Sequence, residues 1–197
     1  MKSLLYPLYA AASWAMTIFA IISEQNTPVA WDGTNDRVLD VGQFTKDSFT
    51  SATSMPLHIA CGDGQIYEME IVGTYTPAAG STASYLEPNN TTYASAFSHF
   101  YTLFNYSATT VTPGGVAESF FSLDTALGTS IQSGSCVIFT STANKKGYGF
   151  SKGETTTIEG ASQFTVRWND TTTVWSSLGT VIMPNAWTGQ IVVRRIA

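Results

Sequence analysis

Two histidines, two cysteines and fourteen carboxylates are the side chains from which this sequence could build a reactive centre. Nucleophilic catalysis needs an activated Ser, Cys or Thr within reach of a base, ordinarily His. His58 lies in the strand-like MPLHIA and His99 lies among Phe97, Phe100 and Tyr101, so both read as structural. No GxSxG elbow, P-loop, dinucleotide fingerprint or HExxH occurs. Cys61 and Cys136 are far apart and cannot form a CxxC motif or a thiol-only zinc site. A single disulfide and two buried free thiols both remain open. Asp32, Asp36 and Asp40 invite a calcium reading, but their spacing is not that of an EF-hand loop and Asp commonly forms turns. No metal or other cofactor is therefore expected. Glu68 and Glu70 sit two apart in IYEMEIVGTYT, which on a strand makes a solvent-facing row rather than an acid–base pair. The chemistry-bearing residues point away from an enzyme.

Binding chemistry has more to work with. Lys145, Lys146 and Lys152 interleave with Tyr148 and Phe150 in NKKGYGFSKG, the composition of a nucleic-acid or glycan contact. In a chain of net charge -5 whose nine Lys and Arg are otherwise scattered, this patch reads more simply as a hairpin tip. No specific nucleic-acid partner is expected. The five tryptophans, Trp14, Trp31, Trp168, Trp175 and Trp187, would stack on sugar rings if exposed and would otherwise fill a core or an interface. Trp175, Trp187 and Tyr148 are the candidates for glycan contact. Asn89, Asn90, Asn105 and Asn169 fall in N-x-[ST] sequons, which matter only in a eukaryotic secretory setting.

The elements that must position these residues are short and β-rich. At 197 residues the chain suits one domain, or one domain with an arm. Charged residues make up 12% and hydrophobic residues 44%, with abundant Ser, Thr, Gly, Tyr and Phe, the usage of sandwiches and barrels. Strands are expected near 37–41, 55–60, 65–76, 94–104, 119–123, 135–141, 155–158, 162–168, 179–183 and 190–196. CGDG, WNDTTT and PNAWTG are read as turns, and 77–92 as a long surface loop. The fold class is all-β, a jelly-roll-like β-sandwich over 23–197 preceded by a hydrophobic arm over 1–22.

That arm contains an uncharged run from Leu4 to Ile22, preceded by Lys2, which imitates a secretion signal or a membrane anchor. Its length would span a bilayer as a helix, about 30 Å at about 1.5 Å per residue. Pro7, Tyr6, Tyr9, Ser13 and Thr17 interrupt it and no basic cluster follows. A membrane partner is the lesser expectation. The preferred reading is a retained arm with a strand from Trp14 to Ile22, packed on its own core or on a neighbour. Interface candidates are Tyr6, Tyr9, Trp14, Ile18, Phe19 and Ile22, with Ile196 at the other end of the chain.

LEPNNTTYASAF, followed by FTVRWNDTTTVWSSLGTVIMPNAWTGQIVVRRIA, resembles virion structural proteins of tailed bacteriophages, whose jelly-roll or β-sandwich subunits decorate capsids or form fibres and tail parts. The resemblance covers chiefly residues 65–76, 86–97 and 160–197. It implies no catalytic residues. It implies a capsid-associated or decoration subunit that assembles with copies of itself and other virion proteins in the host cytoplasm and resides in the virion. A tail or fibre module binding host glycan is the alternative, and a membrane-anchored minor virion protein a further one.

Overall fold

The computed structural model describes residues 27–75, 84–93, 96–106, 108, 110–118, 121–123, 131–143, 145–154 and 159–197. The arm and its candidates Tyr6, Tyr9, Trp14, Ile18, Phe19 and Ile22 lie outside these residues, as does the strand expected over 155–158. Among the described residues the chain is all-β, with no α-helix. The strands are β1 (Arg37–Val38), β2 (Phe44–Pro56), β3 (Ile59–Ala60), β4 (Ile66–Tyr75), β5 (Tyr85–Glu87) and β6 (Phe97–Asn105). They continue as β7 (Thr110–Glu118), β8 (Phe121–Ser122), β9 (Ile131–Phe139), β10 (Lys146–Glu154), β11 (Glu159–Trp168) and β12 (Thr180–Arg195).

One long ribbon organises the sheet. The second half of β12 runs between β2 and β4, with Val192 opposite both Lys46 and Glu70. Its first half runs between β2 and β5, with Val181 opposite Met55 and Leu86. Between the halves the β2–β12 register shifts on either side of Trp187, and Ser51 of β2 takes φ +52°. A strand bends and twists where residues are inserted in this way. The outcome is two layers sharing one ribbon. The large layer runs β7-β6-β11-β10-β9-β4-β12-β2, and the small one continues from β12 through β5 to β8, all antiparallel. β1 and β3 form a separate parallel pair.

The core lies between the layers. Alternation along IYEMEIV turns Tyr67, Met69 and Ile71 inward and leaves Glu68 and Glu70 on the other face, as the sequence indicates. These residues join Phe97, Ile138, Phe164, Val166 and Trp168 from the large layer, Met55 from the end of β2, and Leu86, Phe121 and Val181 from the small layer. Phe121 meets Phe97 edge-on at 6.1 Å and Trp175 at 5.8 Å. Rings crossing at such angles set positive edges against negative faces. At the rim, the buried Arg37 guanidinium pairs with both oxygens of Asp47, at 2.9 and 2.6 Å, and also donates to the carbonyls of Val29, Leu57 and His58. One side chain thus ties three segments. Cys61 and Cys136 are free thiols, both pushed up to about 12 by burial first and then by a nearby carboxylate, Asp36 and Glu68 respectively.

Three expected turns or loops are corrected. PNAWTG does not separate two strands but lies inside β12, because the bulged ribbon absorbs Pro184 and Gly189 without ending. NKKGYGFSKG is no hairpin tip: residues 146–154 form a strand paired on both sides, to β9 and β11. The loop read over 77–92 contains β5 and a 3-10 turn at Pro88–Asn90. There Asn89 adopts φ +55° and its side-chain oxygen accepts from the backbone N–H of Ser176 at 2.8 Å and of Ser177 at 3.1 Å. That sequon asparagine is a brace between segments.

Candidate functional site

β10 reverses the ordinary division of residues between core and solvent. A half-buried strand normally turns its large apolar side chains inward. In KGYGFSKG the inward positions are Gly147, Gly149 and Ser151, whereas Lys146, Tyr148, Phe150 and Lys152 point outward. The inner face tolerates this because the opposite layer fills the space: a side chain at Gly147 would collide with the Phe121 ring. The outer face gains two aromatic rings that the core does not use. Tyr148 is 49% exposed and Phe150 46%.

Register extends the feature across four strands. Tyr148 is opposite Thr165 on β11 and Val137 on β9, and Thr165 is in turn opposite Phe100 on β6. Phe100 is 60% exposed, its ring lying over Gly115 of β7. The adjacent row reads Thr102, Gln163, Phe150 and Ser135. Together the two rows line an open trough of about 610 Å³ on the outer face of the large layer. No Asp, Glu, Lys or Arg lines it. Beyond one end, Lys146 Nζ sits 5.1 Å from the Phe139 ring, whose centroid is 6.0 Å from that of Tyr148.

The sheet edges form a second exposed feature. Among the described residues β2 and β7 each pair on one side only. Arg195 N–H donates to the Gln43 carbonyl, so by antiparallel alternation residues 45, 47 and 49 also face β12. Phe44, Lys46 and Ser48 then direct their N–H and C=O groups to the open side, where Phe44 C=O already accepts from Val29 N–H at 2.8 Å. Such an edge is a template for another strand. β7 carries Pro113, which removes one donor, and exposes Val111.

Several sequence candidates are placed elsewhere. Trp175 and Trp187 are fully buried and are withdrawn as glycan contacts; Trp187 lies against Gly73 and Gly189, Trp175 against Trp168 at 5.1 Å. Large flat rings fill the wide gap at the bend better than they serve as platforms. Tyr148 alone of those three is accessible; Phe150 beside it was singled out with the lysines, whereas its neighbours Phe100 and Gln163 were not. The glycines alternating with Tyr148 and Phe150 mark the face of β10, whereas nothing local in the sequence marks Phe100 or Gln163. Lys145 leaves the basic patch: it is buried, donating to the carbonyls of Thr142 at 3.0 Å and Thr173 at 2.8 Å, 4.7 Å from the Trp168 ring. Burial lowers its pKa, while Asp170 and Asp63 oppose that shift. Ile196 is 42% exposed beside the last turn of the ribbon, with its N–H donating to Ile66 C=O at 2.8 Å.

Both histidines sit among aromatic rings. His99 is buried between the Tyr101 and Phe164 rings. His58 stacks on Trp31 at 3.7 Å and lies 3.4 Å from Asp36. Asp32 is occupied with its own turn, accepting from Thr34 and Asn35 N–H at 2.8 Å each. Among the described residues no three His, Cys, Asp or Glu side chains converge as metal ligands. Among them, too, no helix is long and apolar enough to cross a membrane. No family model matches the chain, and no curated protein or solved structure matches it either.

Proposed function

We propose that this chain is a non-enzymatic structural subunit of a tailed-bacteriophage particle, a capsid-associated or decoration protein that assembles through strand edges and apolar surface. The observation that supports the reading is the open edge of β2, a strand of 13 residues paired on one side only among those described. Its straight half, Phe44–Phe49, carries a single lysine, and its one carboxylate, Asp47, is engaged by Arg37. Proteins that must stay monomeric ordinarily blunt such an edge with charge, proline or cover. A low charged fraction of 12% suits the same role, because few ionic groups need desolvating when copies pack. Association of this kind is driven by burial of apolar surface, at about 25 cal/mol per Å², repeated over symmetry-related contacts. The site of action is then the virion, after assembly in the host cytoplasm.

Mass spectrometry and imaging of purified particles test the proposal together. A fixed copy number and a repeated position on the shell are the expected result. A chain that is missing from particles, and that sediments as a monomer at every concentration, overturns it.

A further inference from the structure

We propose that the outer trough across β6, β11, β10 and β9 binds a neutral oligosaccharide of hexopyranose units. The inference stands apart from the assembly role, which rests on the β2 edge and not on this face. Charge sets the first limit on the ligand. With no ionised side chain lining the trough, a phosphate, a sulfated chain or an acidic peptide would lose hydration without gaining a counter-charge. The lining chemistry sets the second. Phe100, Tyr148 and Phe150 offer flat apolar rings, while Thr102, Gln163 and Thr165 supply groups that both donate and accept hydrogen bonds. A pyranose divides in the same way, with a C–H face for the ring and a rim of hydroxyls for the polar groups. A wholly apolar guest would leave those hydroxyls and the amide without partners.

Spacing argues for a chain rather than a single sugar. Phe100 and Tyr148 are in one row two strands apart, about 10 Å, with Thr165 between them. Phe150 lies two residues further along β10, about 7 Å from Tyr148 along the strand, beside Gln163. Non-adjacent rings of one oligosaccharide can therefore reach more than one platform, which a single sugar cannot. Tyr148 and Phe150 are not core residues: the inward positions of β10 are glycine and serine, and Phe121 of the opposing layer fills the space at Gly147.

The test is saturation-transfer NMR and calorimetry on the full chain with four neutral tetrasaccharides: a β-1,4-glucan, an α-1,4-glucan, an α-1,6-mannan and a β-1,4-N-acetylglucosamine oligomer. A sulfated tetrasaccharide serves as the charged control. At least one neutral probe should bind with Kd at or below about 1 mM. Tyr148→Ala and Phe150→Ala should each weaken that binding about tenfold, and Tyr148→Phe by no more than about twofold, because the ring and not the hydroxyl stacks. Gln163→Ala should weaken it about fivefold, which provides a readout if either aromatic variant fails to fold. Ser48→Pro, remote from the trough, should bind sugar as the parent does. Absence of binding to all four neutral probes overturns the proposal. So does preference for the sulfated control, or undiminished affinity in a folded Tyr148→Ala or Gln163→Ala variant.

Discussion

Gly179 joins Leu178 to the start of β12 with φ +78°, and a methyl group there would overlap the Glu87 carbonyl oxygen. Both the backbone conformation and the contact exclude an L side chain. Gly179→Ala should lower unfolding free energy by about 3 kcal/mol in a denaturant titration. Asp170 acts through hydrogen bonds instead. It accepts from the Thr173 hydroxyl, from Thr172 N–H and hydroxyl at 2.7 Å each, and from Thr173 N–H at 3.3 Å. These bonds, the Thr173 hydroxyl foremost, hold its carboxyl well below the ordinary value of 3.8. A carboxylate whose folded pKa is depressed contributes stability above its unfolded pKa and loses it as pH falls through the folded one. Asp170→Asn should therefore be less stable than the parent at pH 7, with the difference shrinking below pH 3.8 in thermal melts across that range. Equal differences at pH 7 and in acid would remove this role from Asp170.

At the scale of elements, Ser48→Pro isolates the β2 edge. Ser48 directs its N–H away from β12, so proline there removes an outward donor while the ladder to β12 keeps its bonds. The variant should keep the circular-dichroism spectrum of the parent and shift sedimentation toward smaller species. Equal self-association in parent and variant would count against the edge. How far the elements were legible depended on which residues carried the alternation. IYEMEIV placed Glu68 and Glu70 together on one face because apolar and charged residues alternate from Tyr67 to Ile71. Phe97 to Leu103 fitted strand spacing and does form β6. β10 was hidden because glycine and lysine are usual at turns, although glycine at alternate positions is equally a strand whose inner face is filled from across the core. β12 was divided because Pro184, Asn185 and Gly189 are turn formers, and only the register with β2 and β4 shows the ribbon continuing through them. The trough was legible at Tyr148 and Phe150, whereas Phe100 and Gln163 join it only through pairing between strands distant in sequence.

At the scale of the whole molecule, the two layers do not have separate boundaries. β12 donates one half to each, and Phe121 from the small layer stands on Gly147 of the large one. Neither layer can leave without uncovering the other's core, so one cooperative transition is expected. Far-ultraviolet dichroism, reporting strands, and tryptophan fluorescence, dominated by the buried Trp168, Trp175 and Trp187, should give the same midpoint in denaturant. Separate midpoints would mean that the layers unfold independently. The shared ribbon also governs the order in which structure can accumulate. Lys46 waits for Val192 and Met55 for Val181, so β2 spends most of synthesis without its only described partner, and both layers stay incomplete until β12 emerges. Closing loops of that length is slow, and it leaves an apolar intermediate whose edges invite pairing with the wrong chain. The ribbon that unites the finished protein therefore leaves the nascent one open to pairing with other chains until β12 emerges.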